Sequence, residues 1–209
     1  MRFPTLGSGG RELALKLEPY RETNDVIVLG IALGGVPVAH EVAKYLSAPL
    51  DLVIIRRLLT PRGPGSQTCA VSIAGSMVID EELLPRPAVP STPLDHFLTD
   101  AFAELRSREQ ICRRGRPPTE LAGKTVILVD CGIRTGLTMK AAIGALRTKK
   151  PAKIVAAVPV ASHEARHEVA ALADELIFLS QPQPFGHVGL WYVDFSRPGD
   201  DRVGELLGV

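Results

Sequence analysis

Cysteine is scarce in this chain: Cys69, Cys112 and Cys131 are the only three among 209 residues. The number is odd, the spacings are wide and no CxxC pair occurs, so neither a disulfide framework nor a thiolate metal site is written into the sequence. A reducing, cytoplasmic setting is the simplest expectation. Long apolar runs are missing too. None reaches the length of a membrane span, and the segment after Met1, RFPTLGSGGREL, lacks the apolar core of a signal peptide. A soluble, untargeted protein with no membrane partner is expected. Nor is there an excess of one charge. With 24 basic and 23 acidic side chains the net charge is +1, which gives no broad field toward nucleic acid. Two familiar phosphate loops are absent, since neither GxGxxG nor GxxxxGK followed by Ser or Thr occurs.

What is present is an alternation of strand-like and helix-like segments. Val26–Leu33 is a β-branched run that ends at Gly34 and Gly35 and passes into a helical segment, Val36–Leu46, with Pro37 in a first turn that tolerates proline. Asp51–Ile55 is a short continuous apolar strand of the kind covered on both faces. Thr125–Val129 is another, followed by Asp130, a turn rich in glycine and hydroxyls, and a helix marked by Met139, Ile143 and Leu146. Lys153–Val160, a helix over Ser162–Leu172, and Glu175–Leu179 continue the pattern. This order predicts an α/β fold with a central parallel sheet flanked by helices and right-handed crossovers. At 209 residues, one domain is expected.

The remaining segments are accessory. Gly7, Gly9 and Gly10 predict a loose start before a short helix over ELALKLEPY, and this start and the C-terminal segment are expected to form a small hood or cap. Leu58–Thr68 reads as an exposed mobile loop, with a hairpin of Ala70–Ala74 and Met77–Ile79 joined through Gly75 and Ser76. Pro85, Pro87, Pro90 and Pro93 predict extended backbone, after which Ser91 or Thr92 caps a helix to about Arg113. The cluster Arg113, Arg114 and Arg116 reads as a solvated helix end. The tail from Pro182 to Val209 gathers Phe185, Trp191, Tyr192 and Phe195, an expected cap over a pocket or a satellite core under a short helix, Asp200–Leu207.

Two stretches carry chemistry. His163-Glu164-Ala165-Arg166-His167 satisfies HExxH, the spacing at which two imidazoles one turn apart grip zinc with a glutamate as base. Arg166 places a charge in a spacer that is normally uncharged, so a solvated helical face is the better account and no metal site is expected. The second stretch is strand, turn and helix from Lys124 to Lys150. Gly132 and Gly136 permit tight backbone, while Thr135 and Thr138 put hydroxyls beside the free N–H groups of a helix's first turn, which is where a phosphate is held.

The wording VILVDCGIRTGLT resembles the 5-phosphoribosyl diphosphate binding motif of the type I phosphoribosyltransferases: hydrophobics, two acids, then a Thr/Gly phosphate loop. GGVPVAHEVAKYLSAPLDLVIIRR is similar to the same segment in a subgroup of predicted members. This chain departs from the pattern at Cys131, where the second acid usually stands, at Arg134, usually small, and at Leu33, commonly arginine.

The resemblance implies a fold and a reaction, displacement of pyrophosphate from the sugar's anomeric carbon by an unidentified nitrogenous acceptor. It implies that Asp130, the catalytic candidate, accepts from the ribose hydroxyls. Cys131, Gly132, Ile133, Arg134, Thr135, Gly136, Leu137 and Thr138 would surround the sugar and its 5-phosphate. Leu33, Gly34 and Gly35, with Arg56 and Arg57, would hold the pyrophosphate. Magnesium would ride mainly on the diphosphate, and the oligomeric state, a homodimer included, is left open. The alternatives are a degenerate member that binds phosphoribosyl or nucleotide ligands without turnover, and a thiol sensor in which the helix N-terminus lowers the pKa of Cys131.

Overall fold

The computed structural model describes residues 2–59, 67–73, 76–79 and 92–209. Of the loop expected at Leu58–Thr68, Leu58 and Leu59 belong to one strand and Gln67 and Thr68 to the next, while residues 60–66, like 74–75 and the proline-rich stretch at 80–91, lie outside the described residues.

β1 (Val26–Ile31), β2 (Leu50–Leu59), β5 (Thr125–Val129), β6 (Lys153–Val160) and β7 (Glu175–Ser180) are mutually parallel. β3 (Gln67–Ile73) and β4 (Ser76–Ile79) add an antiparallel hairpin at one edge. These seven described strands form one sheet in the order β4-β3-β2-β1-β5-β6-β7. Every residue of β1 is buried, as a strand covered by helices on both faces must be. Alternation along the strands divides the core. Leu29, Val53, Leu128 and Ala156 pack with Met139, Ile143 and Leu146 of α4 (Leu137–Arg147) and with Ala165 and Val169 of α5 (His163–Ala170). Val28, Ile127, Val129 and Val155 pack with Val38 and Val42 of α2 (Gly35–Leu46) and Leu13 of α1 (Leu6–Lys16). α3 (Thr92–Arg113) and α6 (Asp200–Leu206) cover β2 through Leu105, Cys112 and Val203.

Three expectations are corrected. The glycines after Phe3 do not make a loose start. Thr5 and Ser8 form a reciprocal capping box, and α1 begins at Leu6 with the glycines inside it. A carbon on Gly10 would lie 2.6 Å from the Val38 carbonyl oxygen, so glycine lets α1 settle onto α2. β2 is also longer than Asp51–Ile55, because pairing with β3 carries it through Arg56 and Arg57. Finally, Arg113 is not solvated. It is 5% exposed and bonds Asp51 at 2.7 Å and Glu109 at 2.8 Å. Its neighbours Arg114 and Arg116 donate to carbonyls of the C-terminal segment, Val209 and Leu207 among them.

Candidate functional site

In this sheet the chain leaves β1 toward β2 on one side, while β5, β6 and β7 extend on the other. Ligands of open α/β sheets bind outside the carboxyl ends of the strands at such a reversal. A cleft of about 480 Å³ lies there, lined by Leu33 and Gly34 from the end of β1, Arg57 from β2, and every residue from Asp130 to Met139.

The turn after β5 is fixed by the end of β6. Ile133 N–H donates to the Val160 carbonyl at 2.9 Å, and Ser162 N–H donates to the Ile133 carbonyl at 2.8 Å. The Ser162 hydroxyl then donates to the Arg134 carbonyl at 2.5 Å while accepting from Ala165 N–H. One serine thus caps α5 and pins the turn. Gly132 is required by contact, since a carbon there would meet Val160 and Val188 at under 3.0 Å. Gly136 sits at φ +75°, a left-handed conformation that glycine adopts freely, and turns the chain into α4. No acceptor among the described residues takes the N–H groups of Arg134, Thr135, Gly136, Leu137 or Thr138. Arg134 and Thr135 are exposed, so the row opens on the cleft at the positive end of α4.

Facing this turn is the start of α2. Ala32–Leu33 is a cis peptide. Gly34 lines the cleft, whereas Gly35 lies behind it, where a carbon would stand 2.6 Å from the Val129 carbonyl oxygen and 3.0 Å from Cα of Asp130. The glycine pair therefore lets the two loops touch. Of the two arginines on β2, Arg57 lines the cleft and Arg56 pairs with Glu104 on α3.

Asp130 is half-buried and accepts from Cys131 N–H at 2.7 Å. Burial pushes its carboxyl up to about 6, against the opposing pull of that N–H and the charges of Arg197 and Arg57. Cys131 is 5% exposed, and burial followed by the Asp130 charge raises its thiol well above the ordinary range. That overturns the thiol-sensor expectation, because a sensor needs an accessible thiolate. Tyr192, also buried, donates its hydroxyl to the Cys131 carbonyl at 2.6 Å and seats the aromatic tail against the turn. The tail is held in turn by the N-terminal segment. Phe3 N–H donates to the Trp191 carbonyl and Val193 N–H to the Phe3 carbonyl, each at 2.8 Å.

Several of the other lining residues were not among the sequence's site candidates. Arg108 reaches the cleft from α3, held by Asp200 with contacts of 3.1 to 3.3 Å. His187, Phe195 and Arg197 come from the tail. The cluster of aromatics was a signal for the tail as a whole, but nothing in the local wording singles out Arg108 or Arg197. His163 and His167 lie edge to face, 5.0 Å apart, and among the described residues no group of three or more His, Cys, Asp and Glu is placed to hold a metal ion. Among the described residues the carboxylate of Asp130 is the one acid lining the cleft, a donor set that would suit a magnesium ion arriving on a diphosphate.

A model of the phosphoribosyl transferase domain matches residues 4–190. The chain belongs to this family. A Mycobacterium tuberculosis protein, named provisionally as a phosphoribosyl transferase, is 36% identical over 205 residues, which is 98% of this chain and 46% of that one. This family member thus spans about half the length of that curated relative. The bifunctional protein PyrR of Brevibacillus brevis is 31% identical over 109 residues, 52% of this chain and 56% of its own. The crystal structure of TT1426 from Thermus thermophilus superposes with a TM-score of 0.83 at 35% identity, covering 99% of this chain and 98% of that one. The parallel sheet flanked by helices is therefore the family's fold. Among the described residues of this phosphoribosyl transferase family member, no helix is long and apolar enough to cross a membrane.

Proposed function

We propose that this chain binds 5-phosphoribosyl diphosphate and transfers its phosphoribosyl group to a nitrogenous acceptor, releasing pyrophosphate. The observation that carries this reading is the row of unpartnered N–H groups from Arg134 to Thr138, open to the same cleft as the Leu33–Gly34 turn. The first would seat the 5-phosphate with the Thr135 and Thr138 hydroxyls, and the second, with Arg57, the diphosphate. Asp130 would accept from the ribose hydroxyls between them. Magnesium, carried on the diphosphate, would neutralise the charge of the leaving group. The chain's own contribution is positional. Rigid amides and a guanidinium hold the two phosphoryl ends, so the anomeric carbon faces the acceptor with little reorganisation as charge separates. No covalent nucleophile is needed, and the buried neutral thiol of Cys131 is not one. That Phe195 and the residues around His187 line the cleft supports reading residues 182–209 as a cap that would cover the acceptor on a single transferase-like domain. A cytoplasmic setting belongs to this reading, consistent with the free thiols of Cys112 and Cys131.

One observation favours a second reading, in which the ligand is bound without turnover. The position after Asp130 carries a neutral thiol turned into the core, so the ribose faces one carboxylate. Losing two charge-assisted hydrogen bonds would remove about 3–6 kcal/mol of ligand stabilisation. The test is incubation with 5-phosphoribosyl diphosphate, magnesium and a panel of nitrogenous bases, following pyrophosphate release beside calorimetric binding. Release with any base supports transfer. Binding without release across the panel supports the second reading, and no binding overturns both.

A further inference from the structure

Ser162 is a polar residue only 6% exposed, at the junction of β6 and α5 and behind the lining of the cleft. Its hydroxyl accepts from Ala165 N–H at 3.0 Å and donates to the Arg134 carbonyl at 2.5 Å, while its own N–H donates to the Ile133 carbonyl at 2.8 Å. Capping α5 needs only the first of these bonds. The other two reach back to the turn after β5, to Arg134 from 28 residues along the chain.

Those carbonyls belong to the same peptide units as the first two N–H groups of the open row. A planar trans peptide points its N–H opposite to its C=O. Both peptides are trans, since among the described residues the cis bonds are Ala32–Leu33 and Gln183–Pro184. Holding the Ile133 carbonyl therefore turns the Arg134 N–H away from Ser162, and holding the Arg134 carbonyl turns the Thr135 N–H the same way. Arg134 and Thr135 are exposed and line the cleft on the side away from the buried serine.

The two grips differ in what they need. The first is backbone to backbone, and any residue but proline supplies it. The second needs a side-chain donor. No backbone N–H among the described residues takes the Arg134 carbonyl, so without the hydroxyl no described bond opposes a flip of that peptide, which would set an oxygen where the Thr135 donor stood. Ser162 is itself well held: Ala161 beside it is fully buried and donates its N–H to the Ser180 carbonyl at 3.1 Å.

We propose that Ser162 is a positioning residue for the phosphate of the ligand: by holding the Arg134 carbonyl it fixes the direction of the Thr135 N–H, and so sets the affinity of the turn without touching what binds there. This rests on the phosphoribosyl reading above and adds to it a residue that stands behind the turn.

Three substitutions separate this role from that of a helix cap. Ser162→Thr keeps a hydroxyl for both partners. Ser162→Ala loses both bonds of the hydroxyl, and Ser162→Gly loses the donor to Arg134 at little cost to the cap, where glycine is tolerated. Calorimetric titration of the intact chain with ribose 5-phosphate and with 5-phosphoribosyl diphosphate and magnesium should show an affinity loss of about tenfold in both Ser162→Ala and Ser162→Gly, the order expected for one misdirected charge-assisted bond. Their thermal midpoints should differ, with Ser162→Ala the lower. Ser162→Thr should bind within about twofold of the wild type. Amide resonances report the cause. On addition of ribose 5-phosphate the Arg134 and Thr135 N–H signals of the wild type should both move downfield, whereas in Ser162→Gly, which retains the N–H at 162, Arg134 should respond and Thr135 should not. Affinity that follows the thermal midpoint, lost in Ser162→Ala and kept in Ser162→Gly, would make the serine a cap and overturn the assignment alone, as would a Thr135 signal that responds equally in both proteins. Wild-type chain that binds neither sugar phosphate overturns the phosphoribosyl reading, and the assignment with it.

Discussion

A carbon added to Gly34 would stand 3.0 Å from Sγ of Cys131, so the two loops that face each other across the cleft close on a thiol. The sulfur occupies a core position, packed with Val129 and Tyr192, and has little room to retreat. Gly34→Ala should therefore destabilise the fold by about 1–3 kcal/mol, the usual cost of overpacking. The cost is specific to the pair. In a Cys131→Ala background the same change should be nearly silent, giving a coupling well beyond the few tenths expected of independent sites. Urea denaturation of the four proteins measures it, and strict additivity would show that the loops do not meet at the thiol.

The carboxyl of Asp130, pushed up to about 6 by burial, should make binding depend on pH. As pH falls through about 6 the carboxylate is protonated and stops accepting from two ribose hydroxyls at once, so affinity should drop. The phosphate of the ligand titrates nearby, with a second pKa of about 6. Asp130→Asn removes the protein's share, and the difference between the two pH profiles isolates it. Stability runs the other way. A raised folded pKa means stability that is fully present below the unfolded value of about 4 and lost as pH rises through about 6. Asp130→Asn should thus stabilise the chain at pH 8, by about 1–2 kcal/mol, while weakening ligand binding. A variant that is no more stable at pH 8 than the wild type would refute the burial account.

The buried pair of Arg113 and Asp51 should behave as a structural lock. Asp51 is 2% exposed and accepts from Arg113, from its neighbour Leu52 N–H and from Thr119 N–H. Asp51→Ala would leave a buried guanidinium without that carboxylate and should cost about 3–5 kcal/mol. Replacing both partners by apolar residues of similar volume should cost much less. Thermal unfolding of the single and double variants decides the matter, and equal losses in both would show that the charge is not the cause.

Much of this architecture was legible because parallel strands buried on both faces leave uninterrupted apolar runs, as in Val26–Ile31 and Lys153–Val160. The phosphate-loop candidate was legible for a similar reason: a strand, a glycine turn and a helix start lie within one short stretch, and local geometry follows from local wording. What escaped detection depends on distance along the chain. Gly9 and Gly10 look like a flexible leader until Gly9 is seen against Pro159 and Tyr192 and Gly10 against α2. Arg113 looks like a solvated helix end until Asp51, 62 residues away, is seen beneath it. Arg108 and Arg197 reach the cleft through Asp200 and Phe195, partners that only the folded tail brings near. The thiol-sensor alternative at Cys131 has the same limit. Its place before a helix suggests a lowered pKa, and the burial that reverses the sign comes from Tyr192 and Gly34.

The consequence of Cys131 is best tested by restoring a carboxylate. Cys131→Asp would add an acceptor beside Asp130 and should strengthen magnesium-dependent binding of 5-phosphoribosyl diphosphate, since a second acid supplies another charge-assisted bond to the ribose hydroxyls. The same change buries a second negative charge next to the first. It should destabilise the free protein at neutral pH, and Asp130 or its new neighbour should then titrate at still higher pH, because two adjoining carboxylates resist ionising together. Magnesium or ligand should recover part of that stability, so the thermal midpoint of the variant ought to rise more on ligand addition than that of the wild type. Both effects arise only if the side chain at 131 can turn from the core toward the sugar. Unchanged affinity with a simple loss of stability would mean that the position faces only the core, and that one carboxylate is all this cleft presents to the ribose.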